Sequence, residues 1–279
     1  MLALIAGTGD LPPALVARLP APPVVCAMEG FLPTVIPDVT FRIERLGSFL
    51  SDLRARGVTQ ICMAGAISRP PIDPGAVDEA TKPLVPRIMD AIAQGDDGAL
   101  RTIIAIFEEA GLTVRAAHEL APDLLPEAGL LSRSPVTMTA RQDAVTAEQT
   151  IAEMGRADIG QACVVRDGFV LAREGQAGTD AMLARFALPD EALTDLKDGS
   201  ESPAHRLMGA ILFKAPKPDQ DRRADLPVIG LQTAKSAIAA GLAGVVIEHD
   251  GVMVLDLSAV LSALDAAGLF LWVRPKGAA

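Results

Sequence analysis

The chain opens on an unbroken apolar run, Leu2 to Ala6, which stops at Gly7-Thr8-Gly9-Asp10-Leu11-Pro12-Pro13. Helix-spaced apolar positions then resume in Ala14-Leu15-Val16-Ala17-Arg18-Leu19. That order predicts strand, tight turn, helix. Further apolar runs at 23–28 and 60–65, with a helical pattern over 46–56 between them, repeat the unit at the spacing of a βαβ crossover. Strands apolar on both faces and alternating with helices imply a parallel sheet covered on both sides. Residues 82–110 read as mainly helical with a polar break at 94–98, and 112–116 as a short strand. A stretch rich in Pro and small residues over 121–136 marks a boundary, giving units 1–132 and 136–279. The second unit changes texture. Segments 163–172 and 245–256 each place an Asp-Gly pair, Asp167-Gly168 and Asp250-Gly251, between apolar runs, which predicts two type I′ hairpins. Helices are expected at 140–155, 180–187, 232–241 and 258–267. The predicted fold class is therefore α/β: an N-terminal Rossmann-like, doubly wound parallel sheet and a C-terminal α/β domain with hairpins.

Composition narrows the functional classes. The 279 residues are 50% hydrophobic and 22% charged, with a net charge of −10 and mean hydropathy +0.33, which excludes a disordered chain. An acidic balance with 3% aromatics and no Tyr disfavours a nucleic-acid binder, which needs a basic face and stacking rings. Cys26, Cys62 and Cys163 are odd in number, far apart and set in apolar runs, so they read as reduced core residues. The N-terminus lacks a basic segment ahead of its apolar run, and no apolar stretch reaches the ~18 residues a membrane span needs. The expectation is a cytoplasmic protein.

Several constellations carry chemistry. Gly7, Thr8, Gly9 and Asp10 form the turn where a parallel sheet receives phosphates, although Pro12 replaces the third glycine of a dinucleotide fingerprint. A plain βα turn and a ligand-facing turn both fit. Gly65, Ser68 and Arg69 follow the third buried strand on the same carboxyl edge, with Arg69 either a phosphate partner or a surface charge. Asp96 and Asp97 suit a helix cap or a divalent cation. In the second half Gln161 precedes a hairpin whose exit carries Glu174 and then Gly178-Thr179-Asp180, a place for substrate or metal contacts or for a simple N-cap. The densest cluster runs from Lys214 to Gly230 and holds Lys214, Lys217, Arg222, Arg223 and Asp225 among prolines. A solvated loop accounts for such a run, but cations beside carboxylates are also what phosphoryl chemistry needs, and Asp225 sits at a strand entrance. The spacing of His118, His205 and His249 suits no zinc site, and neither a nucleophile elbow nor a P-loop occurs.

These segments, LALIAGTGDLP, MAGAISRP, GDDGALR, RADIGQACVVRDGFVLA, GTDAML, KAPKPDQDRRADLPVIG and GLAGVVIE, resemble the UDP-2,3-diacylglucosamine pyrophosphatases of the lipid A pathway, LpxI type, nearly end to end. The resemblance implies a metal-dependent hydrolase at the cytoplasmic face of the inner membrane, with Mg²⁺ (or Mn²⁺ or Co²⁺) as cofactor. It implies release of UMP and 2,3-diacylglucosamine 1-phosphate by water attack at the α-phosphorus. It further implies a homodimer and allows peripheral contact with the inner membrane, while the acidic, aromatic-poor composition already argues against a nucleic-acid partner. The essential acid of the family's Arg-x-Asp-Leu-Pro motif falls on Asp225. With it we expect Lys214 and Lys217 to neutralise phosphate oxygens, and Asp225, Asp180 and Glu174 to serve the metal. Gly7, Thr8, Gly9, Asp10, Gly65, Ser68, Arg69, Gln161, Gly178, Thr179 and Arg223 are expected to bind substrate. The chain departs from the family pattern at Ala177, where an acid is expected. A Rossmann-like oxidoreductase and a non-catalytic lipid or nucleotide carrier are the other classes.

Overall fold

The computed structural model describes residues 1–68, 72–93, 96–186, 207–218 and 220–278. The chain divides into two compact units. The first comprises Met1–Asp123 together with Gln220–Leu226, and the second comprises Leu124–Asp219 and Pro227–Ala279.

The first unit follows the predicted alternation. β1 (Leu2–Ala6), α1 (Leu11–Val16), β2 (Val24–Met28), β3 (Val39–Phe41), α2 (Leu46–Ala55), β4 (Gln60–Ala64), α3 (Val85–Ala93), α4 (Asp96–Glu109), β5 (Thr113–Val114) and α5 (Ala117–Leu120) occur in that order. All strand pairs are parallel, and the sheet order is β3-β2-β1-β4-β5. The direction of winding reverses between β1 and β4, which is the switch point at whose carboxyl edge such sheets bind ligands. α2 buries Leu46, Phe49, Leu50 and Leu53, the i, i+3, i+4, i+7 stripe of a helix laid on a sheet. Phe49 stacks on Phe41 of β3 with ring centroids 4.0 Å apart.

The second unit holds β6 (Gly129–Leu130), α6 (Met138–Arg156), β7 (Ala162–Arg166), β8 (Phe169–Arg173), α7 (Gly178–Ala184), β9 (Ile211–Lys214), β10 (Val228–Ile229), α8 (Leu231–Ala239), β11 (Gly244–Glu248), β12 (Met253–Val254), α9 (Leu257–Ala267) and β13 (Phe270–Arg274). Its main sheet is mixed, in the order β6-β13-β11-β9-β7-β8. β9, β11 and β13 run parallel, and β7, β8 and β6 pair antiparallel. Alternate residues divide between two cores, as a strand's period of two requires. Cys163, Val165, Ile211, Phe213, Val246, Phe270 and Trp272 meet the stripe Ala140, Ala144, Ala147, Ile151 and Met154 of α6. Ala162, Val164, Leu212, Val245, Ile247, Leu271 and Val273 face the core that α7, α8 and α9 cover.

One hairpin forms as expected, and three expectations change. The Asp167-Gly168 hairpin forms, with both residues at positive φ (51° and 79°) and Asp143 accepting from both backbone N–H groups. The Asp250-Gly251 hairpin does not. β11 pairs with β9 and β13, while β12 pairs with β10 in a separate two-stranded parallel sheet. Asp250 does turn the chain (φ 56°), but Gly251 is not in the left-handed region; it is needed because a Cβ there would lie 2.8 Å from Pro216 Cδ. In addition, β6 places residues 129–130 in the second sheet, ahead of the boundary expected at 132–136. The helix expected at 180–187 spans Gly178–Ala184, and residue 187 lies outside the described residues.

Candidate functional site

In the second unit the expected residues converge at the carboxyl end of β9. Because side chains alternate along a strand, Lys214 follows Leu212 onto the face covered by α7. Its Nζ donates to Thr179 Oγ1 at 2.9 Å, and the Thr179 hydroxyl donates to Glu174 Oε1 at 2.5 Å. The second Glu174 oxygen, Oε2, accepts from the Gln161 backbone N–H at 2.6 Å. All three side chains are buried, at 7% exposure for Lys214, 6% for Thr179 and 6% for Glu174. Gly160, at φ +53°, makes this possible: a Cβ there would lie 2.5 Å from the Glu174 carbonyl oxygen. Beside this chain two buried oxygens, Gln161 Oε1 and Asp180 Oδ1, lack a hydrogen-bond partner. Gly178 (φ +85°) sets the start of α7 directly ahead of Thr179. Lys217 is held apart from the group, donating to Asp158 Oδ1 at 2.5 Å.

In the first unit the chain's return over 220–226 carries Asp225. The Gln220 side-chain amide donates to Asp225 Oδ2. Arg223, expected on substrate, grips Asp221 through two hydrogen bonds (3.0 and 2.7 Å) and reaches Glu108 of α4 at 2.7 Å. The Arg223 guanidinium accordingly holds the Asp221 carboxyl below its ordinary range, and Asp221 raises Arg223 in turn. The two turns at the switch point are spent largely on each other: Thr8 N–H donates to Ala66 O and Ala66 N–H to Thr8 O, both at 2.9 Å. A Cβ on Gly7 would stand 2.5 Å from Ala66 O, and one on Gly65 (φ +88°) 2.7 Å from Thr8 O. Close backbone approach therefore accounts for these two glycines. Gly9, Asp10 and Ser68 are exposed, Arg69 lies outside the described residues, and Asp96 and Asp97 open α4. A mainly apolar cleft of about 370 Å³ lined by Ile43, Glu44, Ile72, Val85, Ile88 and Met89 contains none of the expected residues. Burial pushes all three thiols up to about 12, so none is a nucleophile at neutral pH.

The family model for the LpxI N-terminal domain matches residues 1–124, and that for the LpxI C-terminal domain matches residues 127–272. The chain is also 37% identical over 282 aligned positions to UDP-2,3-diacylglucosamine pyrophosphatase LpxI of Caulobacter vibrioides, covering 99% of this chain and 98% of that protein. The chain belongs to the LpxI family. Among the described residues this LpxI chain assembles no cluster of three or more His, Cys, Asp or Glu around a common point. Magnesium needs no such cage, since one or two carboxylates with waters and substrate phosphates suffice. In the second unit Asp180, with a buried oxygen lacking a donor, has the hard oxygen such an ion takes, and in the first unit the Asp225 carboxylate is of the same donor type. Glu174 accepts one protein hydrogen bond on each oxygen, which leaves a second lone pair on each. Sequence reasoning passed over Asp158, the partner of Lys217, and Glu248, a 6% exposed acid at the carboxyl end of β11. An acid that ends an otherwise apolar strand was the available signal for Glu248.

Proposed function

We propose that this LpxI-family chain hydrolyses the pyrophosphate of UDP-2,3-diacylglucosamine, releasing UMP and 2,3-diacylglucosamine 1-phosphate in lipid A synthesis. The observation that carries this reading is the end-to-end match to a curated UDP-2,3-diacylglucosamine pyrophosphatase, with both halves matched by the corresponding family models. Water attacks the α-phosphorus, the bond from that phosphorus to the bridging oxygen breaks, and the sugar 1-phosphate leaves. A substrate that is already an anhydride of two phosphates needs charge neutralisation and a placed water rather than a covalent nucleophile. Asp225 orients the water, and Lys214 offsets charge on the phosphate oxygens. Mg²⁺, held by Asp225 or Asp180, would supply further neutralisation of the phosphates. Among the described residues no helix is long and apolar enough to cross a membrane, so the lipid substrate is met by a chain without a described spanning helix.

The test is release of UMP from UDP-2,3-diacylglucosamine by the purified chain, with Mg²⁺ and with chelator, beside Asp225→Ala. Turnover should fall by at least about a hundredfold in the variant while its far-UV CD spectrum and melting temperature are kept. Loss of turnover with chelator and its return with Mg²⁺ would establish the metal; equal rates in chelator would remove it. A folded wild-type chain without turnover in any divalent metal would overturn the enzymatic reading.

A further inference from the structure

The Thr179 hydroxyl has one proton and sits between a group that only donates and a group that only accepts. An ammonium has no lone pair, and an ionised carboxylate has no proton. The 2.5 Å contact to Glu174 Oε1 therefore uses the Thr179 proton, and the 2.9 Å contact to Lys214 uses its lone pair. Glu174 is itself fixed, by the Gln161 backbone N–H on one oxygen and by its close seat against Gly160. Every donation runs toward Glu174, from Lys214 through Thr179 on one side and from the Gln161 backbone N–H on the other, which leaves the ammonium a single direction of approach to Thr179.

Burying such a set is a poor route to stability. Well-packed apolar residues of similar volume are often as good as a buried ion network or better. Its location supplies another reason, since the carboxyl ends of parallel strands in open α/β sheets are where ligands bind, and Lys214 closes β9, paired in parallel with β11. We propose that Thr179 and Glu174 are positioning residues for Lys214, holding its ammonium at the end of β9 for a phosphate oxygen of the diphosphate substrate. This rests on the function proposed above. Glu174 then acts through Thr179 rather than on a metal.

The test compares Thr179→Val, which keeps the shape and removes the hydroxyl, with Thr179→Ser, which keeps the hydroxyl and removes a methyl, and with Glu174→Gln. All are made in the full chain, and each is read for kcat and KM on UDP-2,3-diacylglucosamine beside a melting curve. Thr179→Val should lower kcat about ten- to a hundredfold with KM within about threefold, and Thr179→Ser should stay within about threefold of wild type in both. Impairment in Ser equal to that in Val would mean that keeping the hydroxyl does not keep the function, and it would overturn the proposal, as would full activity in Val. A second readout needs no turnover: the ¹H–¹⁵N signal of the Lys214 ammonium, assigned through Lys214→Arg. It should be sharp in wild type and Thr179→Ser and broadened into exchange with water in Glu174→Gln and Thr179→Val. An inactive wild type with that pattern intact would overturn the proposed reaction and leave the positioning standing; a signal unchanged in Glu174→Gln and Thr179→Val would overturn the positioning itself.

Discussion

A carboxylate that is 3% exposed has to be held by donors, and Glu44 has three. Arg42 supplies Nε at 3.2 Å and Nη2 at 3.0 Å, and the Asp73 backbone N–H adds a third at 2.9 Å. The hydrogen bond from Arg42 is the main reason that the Glu44 carboxyl falls from an ordinary value of 4.5 to about 2. A folded-state value below the unfolded one stabilises the fold above the unfolded value, and this contribution is lost as pH falls through the folded value. Stability of the first unit should therefore fall between about pH 4.5 and 2, by about 2 kcal/mol once solvent screening at the half-exposed Arg42 is allowed for. Urea melts at pH 6 and pH 3 should show it, and Glu44→Gln, already weakened at pH 6, should lose less on acidification. An acid limb of the same depth in that variant would assign it to other carboxylates. At this scale chemical type was legible and partnership was not. Glu174 reads as a metal carboxylate from its neighbours in sequence, but its partners are a backbone N–H thirteen residues back and a hydroxyl that answers to Lys214. Arg223 reads as a phosphate ligand until α4 brings Glu108 beside it.

Among the elements, the paired turns after β1 and β4 separate two uses of glycine. Gly65 combines φ +88° with a Cβ position 2.7 Å from Thr8 O, while Gly9 has φ +95° and nothing within 4 Å. Gly9→Ala should cost about 1 kcal/mol, the strain of a left-handed alanine alone. Gly65→Ala adds a clash with backbone that can be relieved only by parting the Thr8–Ala66 bridge, and should cost about 3 kcal/mol or more. Thermal melts of the two variants would check the order; equal losses would mean that the turns can slide apart freely. The runs that became β1, β2 and β4 were legible because strands buried on both faces need no partner to reveal them. β3, β6, β10 and β12 are two or three residues long, too short to carry a period. The Asp250-Gly251 signal was genuine as a turn at Asp250, but parallel pairing of β11 with β9 and β13 outcompeted the local hairpin. Register between distant strands decides such cases, and a local dipeptide does not encode it.

For the whole molecule, the chain's brief return to the first unit over 220–226 has no counterpart in the sequence pattern. Those residues have the composition of a solvated loop, yet Ala224 packs on the first unit's core and Arg223 ties the segment to α4 through Glu108. Asp225 is thus carried by a strap of the first unit that the second unit's chain supplies. Both pairs at Arg223 are partly exposed, so each contributes only about 0.2–1 kcal/mol, but they act on one short segment. Arg223→Ala should therefore raise amide exchange in the strap and the C-terminal turns of α4 by about two- to tenfold. Exchange in β7, β9, β11 and β13 should stay unchanged, because their cores share no residue with the strap. Hydrogen exchange read by mass spectrometry on the full chain resolves the two regions. Glu108→Gln, which weakens the tie to α4 and leaves the Arg223–Asp221 pair inside the strap in place, should show a smaller rise in the same peptides. Increased exchange spread evenly over both units, or confined to the second sheet, would mean that residues 220–226 do not depend on α4 for their place.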